Sequence, residues 1–304
     1  MKKRTLALFA VFLLVLSGCA GVKFGQTKEQ AAALADLSHV GVKGVTINFV
    51  KGQPPDVSFT NTPLDIVVEL RNEGAYPVSG GVVSISGYDS QWINLQPQEK
   101  TFSLEPKTKF NTFGGYDTAQ FSSSNIYLPR GTDTLDQNFL ASVCYKYRTE
   151  SRIPVCIDPN PTSILENEAC RVTQSVSGIS GGQGGPVSVT AIREDAAPGQ
   201  VSFLISIANQ GDGTVVEQAS LSKCPGELKF GDVDNVQYSV KMSGTTGVCK
   251  PDYKSRLSNK QGVIQCTFTL TNAVSPAYQT VLEINLDYGY MSQKAKMVKL
   301  KSFT

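Results

Sequence analysis

Ile66-Val67-Val68-Glu69-Leu70-Arg71-Asn72-Glu73-Gly74 is the stretch whose reading decides the fold. Ile66, Val68 and Leu70 alternate at the strand period, and the run ends in Asn-x-Gly, a turn signal. The pattern returns as Phe203-Leu204-Ile205-Ser206-Ile207-Ala208-Asn209-Gln210-Gly211, and in both places a second Val-rich segment follows, Val82-Val83-Ser84-Ile85 and the run from Val215. A strand, an Asn-x-Gly turn and another strand make one hairpin of a β-sandwich. A second pair of matching segments lies further on. Phe139, Ala141, Val143, Tyr145 and Tyr147 match Leu282, Ile284, Leu286, Tyr288 and Tyr290.

Working outward, each half yields roughly seven short strands, the number a sandwich needs. Val45, Ile47 and Phe49 alternate in the first half, with weaker strands around Phe102–Leu104 and Ala119–Phe121. Val187-Ser188-Val189, Val236 to Val240 and Cys266 to Leu270 read as strands in the second half. Two longer segments read as strand pairs. Phe139 to Tyr147 and Ile153 to Ile157 are joined by the polar turn Arg148 to Arg152, and Val281 to Tyr290 is followed by Lys296 to Leu300. Pro159-Asn160-Pro161 punctuates the halves. The expectation is an all-β chain of two tandem antiparallel immunoglobulin-like β-sandwiches, residues 44–160 and 168–304. There is no Cys…Trp…Cys spacing, and the one tryptophan, Trp92, sits in a loop-like stretch, so the likeness to immunoglobulins is one of shape.

The N-terminus sets the compartment. Lys2, Lys3 and Arg4 precede the apolar run Thr5 to Leu16, and Leu16-Ser17-Gly18-Cys19 closes it. The apolar run is too short to cross a bilayer, which takes about 20 residues. The layout is that of a secretory signal. The four closing residues resemble the lipoprotein signal of bacteria and many archaea, which implies lipidation of Cys19 after removal of residues 1–18. Two acyl chains hold a protein to a membrane stably where one is marginal. Residues 19–43 then form a tether, with Thr27-Lys28-Glu29-Gln30 as a capping box for a short helix. The whole chain carries 28 basic and 26 acidic residues; cleavage would remove three basic ones and leave a net charge of −1. That count argues against a nucleic-acid partner.

Beyond Cys19 there are six cysteines, an even number that suits disulfides in an exported chain. Sequence leaves fifteen pairings open. A hairpin centred on Glu150 would set Cys144 opposite Cys156. Cys249 and Cys266 flank a polar loop, and Cys170–Cys224 follows by elimination; these last four could be exchanged. No C-x-x-C spacing occurs and the sole histidine, His39, is remote in sequence from every cysteine, so neither a metal nor another cofactor is expected.

Catalytic patterns are few. Gly178-Ile179-Ser180-Gly181-Gly182 fits G-x-S-x-G, but the surroundings are a Gly-rich loop and His39 is an implausible base. Ser220-Leu221-Ser222-Lys223 contains S-x-x-K on an expected strand without its companion motifs. Asp232, Asp234 and Asn235 lack the glycine and glutamate of a calcium loop and read as a solvated acidic turn. No nucleophile, base and orienting group assemble, and no enzyme is expected. Tyr88, Trp92, Phe113 and Tyr116 fall in long loops where they could stack on a sugar or a partner, or pack beneath those loops. Lys294, Lys296, Lys299 and Lys301 read as a lysine-lined sheet edge.

The strand–Asn-x-Gly–strand pattern resembles the CARDB family, the cell-adhesion-related β-sandwich domains of bacteria and archaea. The overall layout is similar to surface lipoproteins of small-genome archaea. The carrying segments are Gly44-Val45…Phe49…Pro54-Pro55, Val143-Cys144-Tyr145-Lys146-Tyr147, Val155-Cys156-Ile157-Asp158-Pro159 and Ser180-Gly181-Gly182-Gln183-Gly184. The resemblance implies fold and location, and no activity. Together these readings give a lipid-anchored protein on the extracytoplasmic face, binding a protein or polysaccharide or serving a structural role. The alternatives are an accessory lipoprotein of a secretion or filament assembly, or an envelope-polymer hydrolase.

Overall fold

The computed structural model describes residues 39–162, 168–179, 181–270 and 275–303, so Cys19, the tether helix and Ser180 lie outside the described residues. The chain is all-β, with antiparallel sheets packed as sandwiches and no closed barrel. In chain order the strands are β1 (Val45–Phe49), β2 (Val57–Phe59), β3 (Leu64–Asn72), β4 (Val78–Ser86), β5 (Glu99–Leu104), β6 (Tyr116–Ser123), β7 (Thr134–Ile157), β8 (Val187–Ala197) and β9 (Gln200–Asn209). They continue as β10 (Thr214–Val216), β11 (Asn235–Met242), β12 (Thr245–Thr246), β13 (Val248–Lys250), β14 (Lys254–Arg256), β15 (Gln261–Thr269) and β16 (Tyr278–Lys301).

The alternation seen in the sequence is what buries the core. Leu64, Ile66, Val68, Leu70 and Asn72 point inward along β3, as do Val201, Phe203, Ile205, Ile207 and Asn209 along β9. Each large apolar side chain fully buried this way contributes about 1.5–3 kcal/mol. The matched segments occupy matched places. The sheet β1-β3-β6 has its counterpart in β8-β9-β15, with β13 added at one edge. Val45 opposite Asn72 corresponds to Val187 opposite Asn209, and Arg71 opposite Tyr116 corresponds to Ala208 opposite Gln261.

The halves are not separate beads. β7 and β16 are each a single strand of 24 residues, paired antiparallel along their whole length at the centre of a nine-stranded sheet. Buried residues of both halves belong to one apolar cluster. Tyr147 lies opposite Tyr288 and Tyr145 opposite Tyr290, so the repeats are related by an approximate twofold between Lys146 and Gly289. The polar run Arg148 to Arg152 is therefore no turn. Thr149 and Ser151 face inward, Thr149 Oγ1 lies 2.8 Å from the Tyr288 hydroxyl, and Arg148 pairs at 2.7 Å with Asp287 directly across the ladder.

This one correction overturns two disulfides. Cys144 and Cys156 sit twelve residues apart on one strand, about 40 Å at the strand rise, and cannot meet. The bridges are Cys144–Cys224, Cys156–Cys170 and Cys249–Cys266. The third is the pair expected, directly opposite between β13 and β15. Ser220 to Lys223 belong to a 3-10 turn, Gln218–Lys223, and not to a strand. Gly289 makes room for this turn, since any Cβ there would press on Leu221, and Cys224 then ties its end to β7. The lysine stretch is a sheet edge in part. β16 pairs with β7 on one side throughout it; on the other side β2 covers Lys299 to Lys301, while Lys294 and Lys296 have no strand beside them among the described residues.

Candidate functional site: the junction of the repeats and its open edge

The Asn-x-Gly turns explain why each half ends its strand as it does. In the first half the Asn72 side chain accepts from the Gly74 amide at 3.2 Å and donates to the Tyr76 carbonyl at 2.7 Å. In the second half Asn209 accepts from Gly211 at 3.2 Å and donates to Gly213 at 2.9 Å. A tyrosine hydroxyl from the central pair completes each turn. Tyr147 donates to Asn72 at 3.3 Å and accepts from the Tyr76 amide, while Tyr290 donates to Asn209 at 3.1 Å and accepts from the Gly213 amide. A Cβ at Gly74 or Gly211 would collide with the corresponding hydroxyl, which is why the third residue of each motif is glycine.

The remaining two tyrosines hold the first strand of each half. The Val45 amide donates to the Tyr145 hydroxyl at 2.8 Å and the Val187 amide to the Tyr288 hydroxyl at 3.2 Å. The four rings touch one another, with centroids 5.6–6.3 Å apart. Burial raises all four hydroxyl pKa values, that of Tyr290 to about 12, so they remain neutral donors across the physiological range.

Beside this junction runs a groove of about 530 Å³, lined by Val42–Asn48, Glu73, Pro186, Gln210–Gly213, Tyr290 and Ser292–Lys294. Its size suits a ligand site. One wall is the outer edge of β1. The Glu73 amide donates to Gly44 and the Val50 amide to Val67, so even-numbered residues face β3 and the backbone groups of Val45, Ile47 and Phe49 face away. Among the described residues the N–H and C=O of Ile47 and Phe49 have no hydrogen-bond partner. In the groove Lys43 and Glu73 are paired at 2.8 Å, while Lys294 and Asp212 carry opposite charges with no ion pair among the described residues.

The twin of this edge, on β8, is filled. Val189 occupies the place of Ile47; its amide donates to Gln183 Oε1 at 2.8 Å, and Gln183 Nε2 donates back to its carbonyl at 3.1 Å. Further along, Val176 donates to Ile192 and Glu194 to Gln174, both at 3.0 Å, so an extended segment lies on β8 antiparallel. Counting back from the paired strands, Gln183 corresponds to Gly41, which has no side chain to offer. The only cue to this in the sequence was Gln183, the one functional side chain among the glycines at 181–185.

The residues singled out from sequence do not gather here. Tyr88 packs on Phe139 and Trp92 is half-buried against the core, both in the segment linking β4 to β5. Phe113 is exposed before β6, and Tyr116 stacks with Arg71 at 5.2 Å at the start of that strand. The Trp92 loop meets the far end of β6 through Gln96 and Ser122, so the four aromatics form no shared platform. The S-x-x-K pair and the acidic turn fuse into one structural knot. Asp232 accepts from Ser220 at 2.6 Å, Lys223 at 2.8 Å and the Lys229 amide at 2.9 Å, and these donors hold its pKa far below the usual carboxylate range. It is a pinned carboxylate and not a solvated one. His39 is exposed ahead of β1. Among the described residues no three His, Cys, Asp or Glu are grouped to hold a metal, and no helix is long and apolar enough to cross a membrane.

No protein-family model and no curated protein matches the chain. Solved structures give distant likenesses. A DUF4466 family protein from Parabacteroides merdae is 9% identical, covering 81% of this chain and 99% of that one, with a TM-score of 0.20. The CupB6 tip adhesin from Pseudomonas aeruginosa is 10% identical, covering 87% and 98%, also at 0.20. Neither likeness bears on role at that score.

Proposed function

We propose that this is a lipid-anchored protein of the extracytoplasmic cell surface that binds a protein or polysaccharide, or supports an assembly, through its fused β-sandwiches. The observation that carries the reading is the pairing of all six cysteines beyond Cys19 into three disulfides in an all-β body, a state kept in oxidising compartments. Leu16-Ser17-Gly18-Cys19 supplies the anchor, and the resemblance to CARDB domains agrees with a surface role. No reaction is assigned, because the conspicuous polar clusters serve turns and loops.

Two measurements test it. Wild-type protein should partition with membranes, and Cys19→Ser should be released or stay as uncleaved precursor; a Cys19→Ser protein that matures and remains membrane-bound contradicts the anchor. A binding screen against envelope polysaccharides and envelope protein extracts should yield a saturable partner without substrate turnover. Turnover abolished by Ser180→Ala or His39→Ala in a folded protein would replace this reading with an enzyme.

A further inference from the structure

The two sandwiches share a register but treat their outer edges differently. On β8 the outward groups of Val189 are met by the Gln183 amide, and those of Ile192 and Glu194 by the backbone of Gln174 to Val176. On β1 the equivalent Ile47 presents its N–H and C=O to an open groove, and those of Phe49, just beyond the groove's lining, face the same side. A row of unpaired strand-edge groups is a template for another strand, and strand addition is a common means of peptide recognition.

We infer that the β1 edge is a docking site for an extended peptide segment of a partner protein, added antiparallel to β1 as a fourth strand of the β1-β3-β6 sheet. The second half shows what an edge of this kind accepts, an extended, antiparallel and uncharged segment: Gln174-Ser175-Val176. The groove matches that character. Lys43 and Glu73 neutralise each other, and Lys294 and Asp212 balance, so nothing favours a strongly charged strand. Main-chain bonds to Ile47 and Phe49 would hold the peptide, and the side chains facing Ser292 to Lys294 would select it. This inference rests on reading the protein as a binding module and names the class of its partner.

The test uses the full mature chain, isotopically labelled, and a synthetic peptide copying Thr173 to Ile179. Excess peptide should slow hydrogen exchange at the Ile47 and Phe49 amides at least tenfold and leave Val189 unchanged. A peptide N-methylated at alternate residues should have no effect. Phe49→Pro removes an outward N–H without breaking the β1–β3 ladder and should abolish the response. Should that variant not fold, the N-methylated peptide carries the comparison. Unchanged exchange at both amides under saturating peptide overturns the inference, as does equal protection by the N-methylated peptide. Protection that appears without peptide and grows with protein concentration would make a second copy the occupant, and protection independent of concentration would make it the protein's own chain. Either overturns a partner peptide. Membrane fractionation of Cys19→Ser and the envelope screen are independent of these amides, so failure here leaves the surface-binding reading standing.

Discussion

β1 and β8 leave the same ladder position, each with its first amide on a tyrosine hydroxyl, and then diverge. β8 is finished by Gln183 and by Gln174 to Val176, whereas β1 faces a groove. A repeated module thus keeps its junction fixed and varies its rim. The disulfides follow the same division. Cys249–Cys266 lies within the second half, and the other two bridges link β7 to segments of the second half, so the first half has no bridge of its own.

The bridges should give the largest effects. Replacing Cys144 and Cys224 together by alanine opens a loop of 80 residues and should cost about 4.5 kcal/mol on the loop-entropy model, against about 3 kcal/mol for the 14-residue loop of Cys156 and Cys170. Denaturant unfolding of the two double variants checks the order, and a reversed order would mean that the long bridge does not constrain both halves. Next come the glycines of the repeated motif. Gly74→Ala and Gly211→Ala should each cost about 1–3 kcal/mol. Gly74 should be the worse, because its Cβ would also meet the carbonyl oxygens of Lys43 and Gly184. Thermal melts that tolerate either substitution would break the equivalence of the two turns.

Glu194 separates the halves by pH. The residue is 2% exposed on β8, one carboxyl oxygen has no hydrogen-bond partner among the described residues, and burial raises its pKa to about 7 from an ordinary 4.5. The folded state therefore holds its proton more tightly than the unfolded state does. Stability from this group is fully present below about pH 4.5 and is lost as pH rises through 7. The loss should be on the order of 2 kcal/mol, and Glu194→Gln should remove it. Melts of wild type and variant between pH 4 and 9 decide; parallel curves would contradict the assignment. Smaller still, Tyr147→Phe and Tyr290→Phe should each cost about 1 kcal/mol and match within a few tenths. Unequal losses would show that one turn leans on its hydroxyl more than the other.

The repeats were legible because period-2 burial leaves a mark in every strand, as at Ile66, Val68 and Leu70. Lengths and partners were not. Arg148 to Arg152 looks like a turn until Asp287 and Tyr288 on a strand 139 residues away supply partners for its polar side chains. With the hairpin went the Cys144–Cys156 bridge, while Cys249–Cys266 survived because it depends on a local ladder. The tyrosines were noted as matching positions, but their bonds to Asn72 and Asn209 span 75 and 81 residues and have no local signature. The open edge was the least visible feature. It is defined by what Gly41 lacks and Gln183 provides.

That difference is measured most directly by native-state hydrogen exchange of the free protein at two amides, Ile47 and Val189. Ile47 should exchange at least ~10-fold faster than Val189, and Gln183→Ala should bring Val189 toward the rate of Ile47. Equal protection of the two amides in the wild type would contradict that difference.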